Sequence, residues 1–208
     1  MEDREIKRRI VKSASELFFY HGFSKVTLDE VAEKIGISKK TIYNHYDGKR
    51  EVLRAVIRTY QEDMEAVIAD AMKADSSDFV AKFKNNLTAI AVELSVLTPH
   101  FCEDMSKNAV DIWEEFLEFK RAVVINHFFK LIDLGIKNGS VTKKINKELS
   151  VLMYLTATEN LISTKYIKSL PKETSAKIPA SNIESFNGMI DVLYFGILSD
   201  DAKSKSKK

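Results

Sequence analysis

Two lysines, a threonine, a tyrosine, an asparagine and a histidine crowd residues 39–45 of this 208-residue chain, inside the run ISKKTIYNHYDGKREVL (37–53). All six can donate hydrogen bonds, and Asn and Lys are the types that meet adenine and guanine edges in a DNA major groove. A helix that only packs needs one apolar stripe, and Ile42 with Tyr46 supplies it at i, i+4. With Ile42 turned inward, 100° per residue places Lys40 and Asn44 almost opposite the core. Thr41 and His45 then fall on one flank, Lys39 and Tyr43 on the other, so these six are the residues aimed at DNA.

Other chemistry finds little footing. No serine sits in a G-x-S-x-G turn, no glycine-rich phosphate loop exists, and the four histidines are scattered, so the chain reads as a non-enzyme without cofactor. His100 and Cys102 flank no second cysteine or nearby histidine and read as structural rather than metal-binding. The acids Asp104, Asp111, Glu114, Glu115 and Glu118 read as a solvated helix face rather than a cation site. Tyr46 reads as a packing aromatic and Tyr43 as a DNA contact.

The elements that position the basic run are legible from caps and periodicity. Residues 3–21 carry Ile6, Ile10, Ala14, Leu17 and Phe18 on one helical face, closed by Gly22. Thr27 and Glu30 have capping-box spacing and open a short helix with Val31, Ala32 and Ile35 inward, ended by Gly36. Ser38 caps the next helix, expected to reach about Tyr46. Helix, short glycine-containing turn, helix is the arrangement of a helix-turn-helix reader. A longer helix is expected over 49–72 with Val52, Leu53, Val56, Ile57, Tyr60, Met64, Val67 and Ile68 as its apolar positions. Further helices are expected over about 78–98, 108–138, 147–169 and 182–199, with no strand alternation anywhere. The predicted fold is all-α, and LPKETSAKIPAS (170–181) reads as a loop.

Charge is unevenly spread. Residues 1–60 hold 13 Lys/Arg against 9 Asp/Glu, residues 61–202 hold 15 against 21, and the tail 203–208 adds four lysines. Basic charge at the ends suits one segment that touches a polyanion and a middle that does not. No apolar run approaches the roughly 18 residues of a membrane span, and the charged N-terminus is unlike a signal sequence, so a cytoplasmic location without membrane contact is expected. The single cysteine leaves no intramolecular disulfide.

The succession Ala14, Leu17-Phe18, Gly22-Phe23, Val26-Thr27, Val31-Ala32, Ile35-Gly36-Ile37-Ser38, Thr41-Ile42-Tyr43, His45-Tyr46, Lys49 and Val52-Leu53 resembles the DNA-binding domain of the tetracycline-repressor (TetR) family over residues 6–57. The resemblance implies a reader domain at 1–48, a helical regulatory and dimerisation domain at 49–202 and a basic tail at 203–208. It implies phosphate contacts from Thr27, Tyr43, His45 and Lys49, and base readout mainly by Lys39, Lys40, Thr41 and Asn44. It further implies a homodimer on a palindromic operator, released by a small-molecule effector. Two positions depart from the family's pattern: Tyr46 stands where Phe is frequent, and Gly48 where a capping Ser or Asn is frequent.

Within that frame the effector, a small apolar or aromatic molecule, is expected against Phe83, Leu87, Phe101, Trp113, Phe116, Met153 and Asn160. The dimer interface is expected at Leu152, Leu155, Thr156, Phe186, Gly188, Ile190, Val192, Leu193 and Gly196, because small and β-branched groups at four-residue steps let helices approach closely. The alternative function is a nucleoid-associated DNA binder of the same fold with no small-molecule switch.

Overall fold

The computed structural model of the protein describes residues 2–73, 78–162, 164–179 and 181–195, and no strand occurs among them. The helices are α1 (Glu2–His21), α2 (Leu28–Lys34), α3 (Lys39–Tyr43), α4 (Lys49–Lys73), α5 (Phe79–Leu94), α6 (Pro99–Asn108), α7 (Val110–Lys137), α8 (Lys147–Ile162), α9 (Thr164–Ser169), α10 (Lys172–Ser175) and α11 (Asn182–Phe195). The tail 203–208 and Gly196 lie outside the described residues.

Two compact units form, one from Met1–Asp70 with Val96–His127, the other from Ala71–Ser95 with Phe128–Lys208. In the first, α1 packs on α2 and α6, and Ile10, Ala14, Phe18, Val31, Ile42, Val52, Leu53 and Val56 are all fully buried. Phe18 and Phe23 pack edge to face at 5.5 Å. The periodicity of α4 is met except at Val67, which faces solvent. Helix α6 is a departure from the expected pattern, which left 99–107 unassigned. Thr98 caps it by accepting from the Phe101 N–H at 3.2 Å, and Pro99 opens it, a start that suits proline because the first N–H groups of a helix have no internal acceptor. Ala109 (φ −147°, ψ 50°) then separates α6 from α7.

In the second unit α11 lies on α5 and α8. Its center is Phe83, Leu87, Ile90, Tyr154, Phe186 and Ile190, all at most 1% exposed. Tyr154 is held there by donating its hydroxyl to the Leu87 carbonyl at 3.0 Å, which satisfies a polar group that burial would otherwise strand. Lys84 bonds Asp191 at 2.7 Å and Thr88 bonds Asn187 at 3.0 Å, fixing α11 along α5. The segment 170–181 contains the single turn of α10 rather than loop alone.

Gly135 of α7 sits where a Cβ would meet Val141 Cγ2 at 2.4 Å and Phe79 Cζ at 2.5 Å. Gly135→Ala gains about 1 kcal/mol of helix propensity but must displace both side chains, and overpacking costs about 1–3 kcal/mol. A lower urea midpoint is therefore expected; an unchanged or higher one would show that Val141 and Phe79 yield freely.

Candidate nucleic-acid interface

The reader is built by local bonds first. Thr27 and Glu30 close a reciprocal capping box: Thr27 Oγ1 accepts from the Glu30 N–H at 3.3 Å, and Glu30 Oε2 accepts from the Thr27 N–H at 2.6 Å. That backbone bond is the main reason the Glu30 carboxyl lies below its ordinary pKa. Ser38 caps α3 by accepting from the Thr41 N–H at 3.1 Å, and its hydroxyl lies 2.8 Å from Thr41 Oγ1. Arg9 reaches from α1 to the Ile35 carbonyl at 2.6 Å, so the turn before α3 is tied to the first helix.

Helix α3 is shorter than the expected run to Tyr46. After Tyr43 the His45 and Tyr46 N–H groups share the Ile42 carbonyl, each at 3.0 Å, so the last turn tightens as the helix ends. Ile42 is fully buried and Tyr46 half-buried, while Lys40, Asn44 and Tyr43, the last 50% exposed, point outward. Among the described residues neither the Lys40 ammonium nor the Asn44 amide has a side-chain bond, so both are free to take an external partner.

The other expected contacts are engaged within the protein. Lys39 Nζ donates to Asp29 at 2.6 Å, and that bond raises its pKa. Lys49 Nζ donates to the Ser24 carbonyl at 3.1 Å and stands 4.4 Å over the Phe23 ring, where burial lowers its pKa. His45, its side chain only 12% exposed, puts Nδ1 3.0 Å from Asp3 Oδ1, tying the start of α1 to the end of α3. Thr27 stays exposed at the start of α2.

Sequence reasoning missed a set of bonds that fasten this reader to α6 and α7 within the same unit. Thr98 donates to the Phe19 carbonyl at 2.6 Å, His100 Nε2 lies 3.0 Å from the His21 carbonyl, and Asp104 accepts from the Ser24 N–H at 2.7 Å. Gly22 makes this approach possible: its φ is +89°, and a Cβ there would lie 3.0 Å from His100 Nε2. Arg50 bonds Asp111 at 2.5 Å, and Arg54 bonds Asp111 at 2.9 Å and Glu115 at 2.7 Å. Two of the acids expected on a plain solvated face thus bridge α7 to α4. Burial also pushes the Cys102 thiol pKa up, the opposite of what a reactive thiolate needs.

Burial works to raise the Asp104 pKa, but bonds from Ser24 and Asn108 outweigh it and leave the carboxyl below its ordinary value. A depressed folded-state pKa contributes stability above the unfolded value, about 3.9, and loses it as pH falls through the folded one. Asp104→Asn is therefore expected to lower the urea midpoint at pH 7 and to flatten its decline below about pH 4; parallel acid limbs for both proteins would remove Asp104 from this role.

In the second unit a cleft of about 470 Å³ has Leu87 and Met153 among its lining residues. Phe83 is core, and Asn160 donates to the Thr156 carbonyl of its own helix. Phe101, Trp113 and Phe116 belong to the first unit, where Phe101 packs on Phe19 and Phe116 on Tyr60, so the seven residues expected around an effector are not gathered in one site. On α8 and α11, Leu152 and Val192 are 58% and 54% exposed, Thr156 and Gly188 are also exposed, and Leu155 and Leu193 are half-buried. Phe186 and Ile190 correct the expected interface: they are buried in their own unit, because that side of α11 packs against α5 and α8.

A buried-stripe helix presenting Lys40, Tyr43 and Asn44 behind a capped α2 and a short turn defines a helix-turn-helix DNA-binding protein. Residues 10–56 match the family of bacterial regulatory proteins known as the tetR family, which gives this segment as a DNA-binding domain of that type. It is 24% identical over 197 residues to the uncharacterized HTH-type transcriptional regulator YvaF of Bacillus subtilis, covering 93% of this chain and 96% of that one. With the HTH-type transcriptional regulator SrpR of Pseudomonas putida it shares 41% identity over 64 residues, 31% of this chain and 30% of the relative. Its fold is similar to that of the fatty acid degradation regulator FadR from Bacillus halodurans, with a TM-score of 0.66 at 16% identity over 92% of this chain and 95% of the other. FadR from Bacillus subtilis, solved in complex with stearoyl-CoA, gives a TM-score of 0.62 at 16% identity over 92% and 99% of the two chains. No helix among the described residues is long and apolar enough to cross a membrane.

Proposed function

We propose that this protein is a repressor that binds a palindromic operator as a homodimer and leaves it when a small apolar molecule enters the second unit. The observation that supports the reading most is the outward, unengaged pair Lys40 and Asn44 on a helix whose opposite side, Ile42, is fully buried. Asn44 is suited to adenine and Lys40 to guanine, while Thr27, Tyr43 and Lys49 flank them with donors for phosphates. Lys39, Thr41 and His45 support the reader by positioning it, through Asp29, Ser38 and Asp3, before any DNA contact they add. The exposed apolar side chains of α8 and α11 are where a second copy pairs, and two-fold pairing sets the readers one helical turn apart, about 34–36 Å. The 470 Å³ cleft holds the effector.

Selection of binding sites from random duplexes with the purified chain tests this. One palindromic motif is expected, and Asn44→Ala should relax one base pair per half-site by about 1–3 kcal/mol. Unchanged base preference in the variant would sink the groove-facing assignment, and a wild-type protein that selects no motif would favor the nucleoid-associated alternative.

A further inference from the structure

We infer that the effector is a neutral amphiphile with a medium-length apolar body and one oxygen acceptor, rather than a carboxylate or a phosphate ester; this rests on the cleft of the second unit being the effector site. The floor is apolar and closed: Leu87 is fully buried, and Phe128 and Ile132 are each 4% exposed. Val141, Ile145 and Leu193 form half-buried walls, and Ser140, Thr142 and Asn146 stand at the exposed mouth. At about 470 Å³ the space falls in the lower part of the 300–1,000 Å³ typical of small-molecule sites, which suits a medium chain better than a long one.

The polar groups at the mouth select the head group. Asn146 Oδ1 is occupied, accepting from the Leu149 N–H at 2.7 Å, which leaves its amide hydrogens as the donors it can offer. Thr142 Oγ1 accepts from the Lys144 N–H at 3.3 Å and keeps its own hydrogen to donate. Ser150 spends its hydrogen on the Asn146 carbonyl at 2.7 Å. Uncharged donors therefore await a hydroxyl or carbonyl oxygen. Among the described residues no Lys, Arg or His lines the cleft, and the nearby Lys147 ammonium is held by Asp133. The start of α8 does not substitute for a cation, since the Leu149 N–H is taken by Asn146 and Glu148 adds negative charge to the first turn. An anion here would lose its hydration without gaining a counter-charge.

The test uses the full chain with Nile red as a neutral fluorescent occupant, displaced by decanol or by decanoate at pH 8, where the acid is ionized. Decanol is expected to displace the dye at least about tenfold more effectively than decanoate. Ser140→Arg, at an exposed position that leaves the core untouched, should narrow that ratio by improving decanoate. Equal displacement by both compounds in the wild type, or an unchanged ratio in Ser140→Arg, overturns the assignment. So does failure of both to bind, the result expected if side chains of a second copy fill the cleft. Operator binding measured in the same samples separates the two levels: decanol bound with the operator retained sinks release by this cleft, while the ligand class of the cleft stands.

Discussion

Raising NaCl from about 50 to about 200 mM is expected to weaken operator binding by about a thousandfold. Each neutralized phosphate contributes about 0.9 to the slope of log affinity against log salt, because binding releases its condensed counterions. A homodimer that brings Lys39, Lys40 and Lys49 from each copy has six such cations and a slope of about −5. The structure ranks the three. Lys40 is unengaged and should contribute fully, so Lys40→Ala should flatten the slope most. Lys39 has to share its ammonium with Asp29, so Lys39→Ala should flatten it less. Lys49→Ala should weaken all sequences alike, through the lost charge and through the lost tether to Ser24. Fluorescence anisotropy titrations across four salt concentrations give the slopes; a Lys40→Ala protein with the parent slope would remove that residue from the DNA face.

The second large effect concerns assembly. Val192→Asp and Leu152→Asp each place a carboxylate on the exposed face of α11 or α8, and neither should disturb the separate chain, because both side chains already face solvent. Buried between two copies, the carboxylate would be desolvated without a partner, and a penalty of about 3 kcal/mol raises the dimer dissociation constant more than a hundredfold. Gly188 supports the location: nothing lies within 4 Å of the Cβ it lacks, so a helix from another copy has room to approach. Operator affinity should fall with dimerization, since a single reader covers only half of a palindrome. Sedimentation equilibrium of both variants decides this, and dimers as tight as the parent would take these faces out of the interface.

What the sequence determined by itself is local. The capping box at Thr27 and Glu30, the Ser38 cap and the outward placement of Lys40 and Asn44 depend on residues within one or two turns. Such signals survive in any tertiary setting, so the helix-turn-helix reader and the all-helical class were legible without a structure. Even the unassigned α6 carries a local signal, Thr98 as cap followed by Pro99 in the first turn. Partner choice across the chain was decided only by tertiary packing. Asp104 meets Ser24 80 positions away, and Arg54 meets Glu115 across 61, contacts that exist only once α6 and α7 lie against the reader. The same holds for His45, whose Nδ1 meets Asp3 at the far end of α1. The aromatics Phe101, Trp113 and Phe116 pack in one unit while the cleft forms in the other, because helical periodicity shows that a residue is buried and not which core receives it.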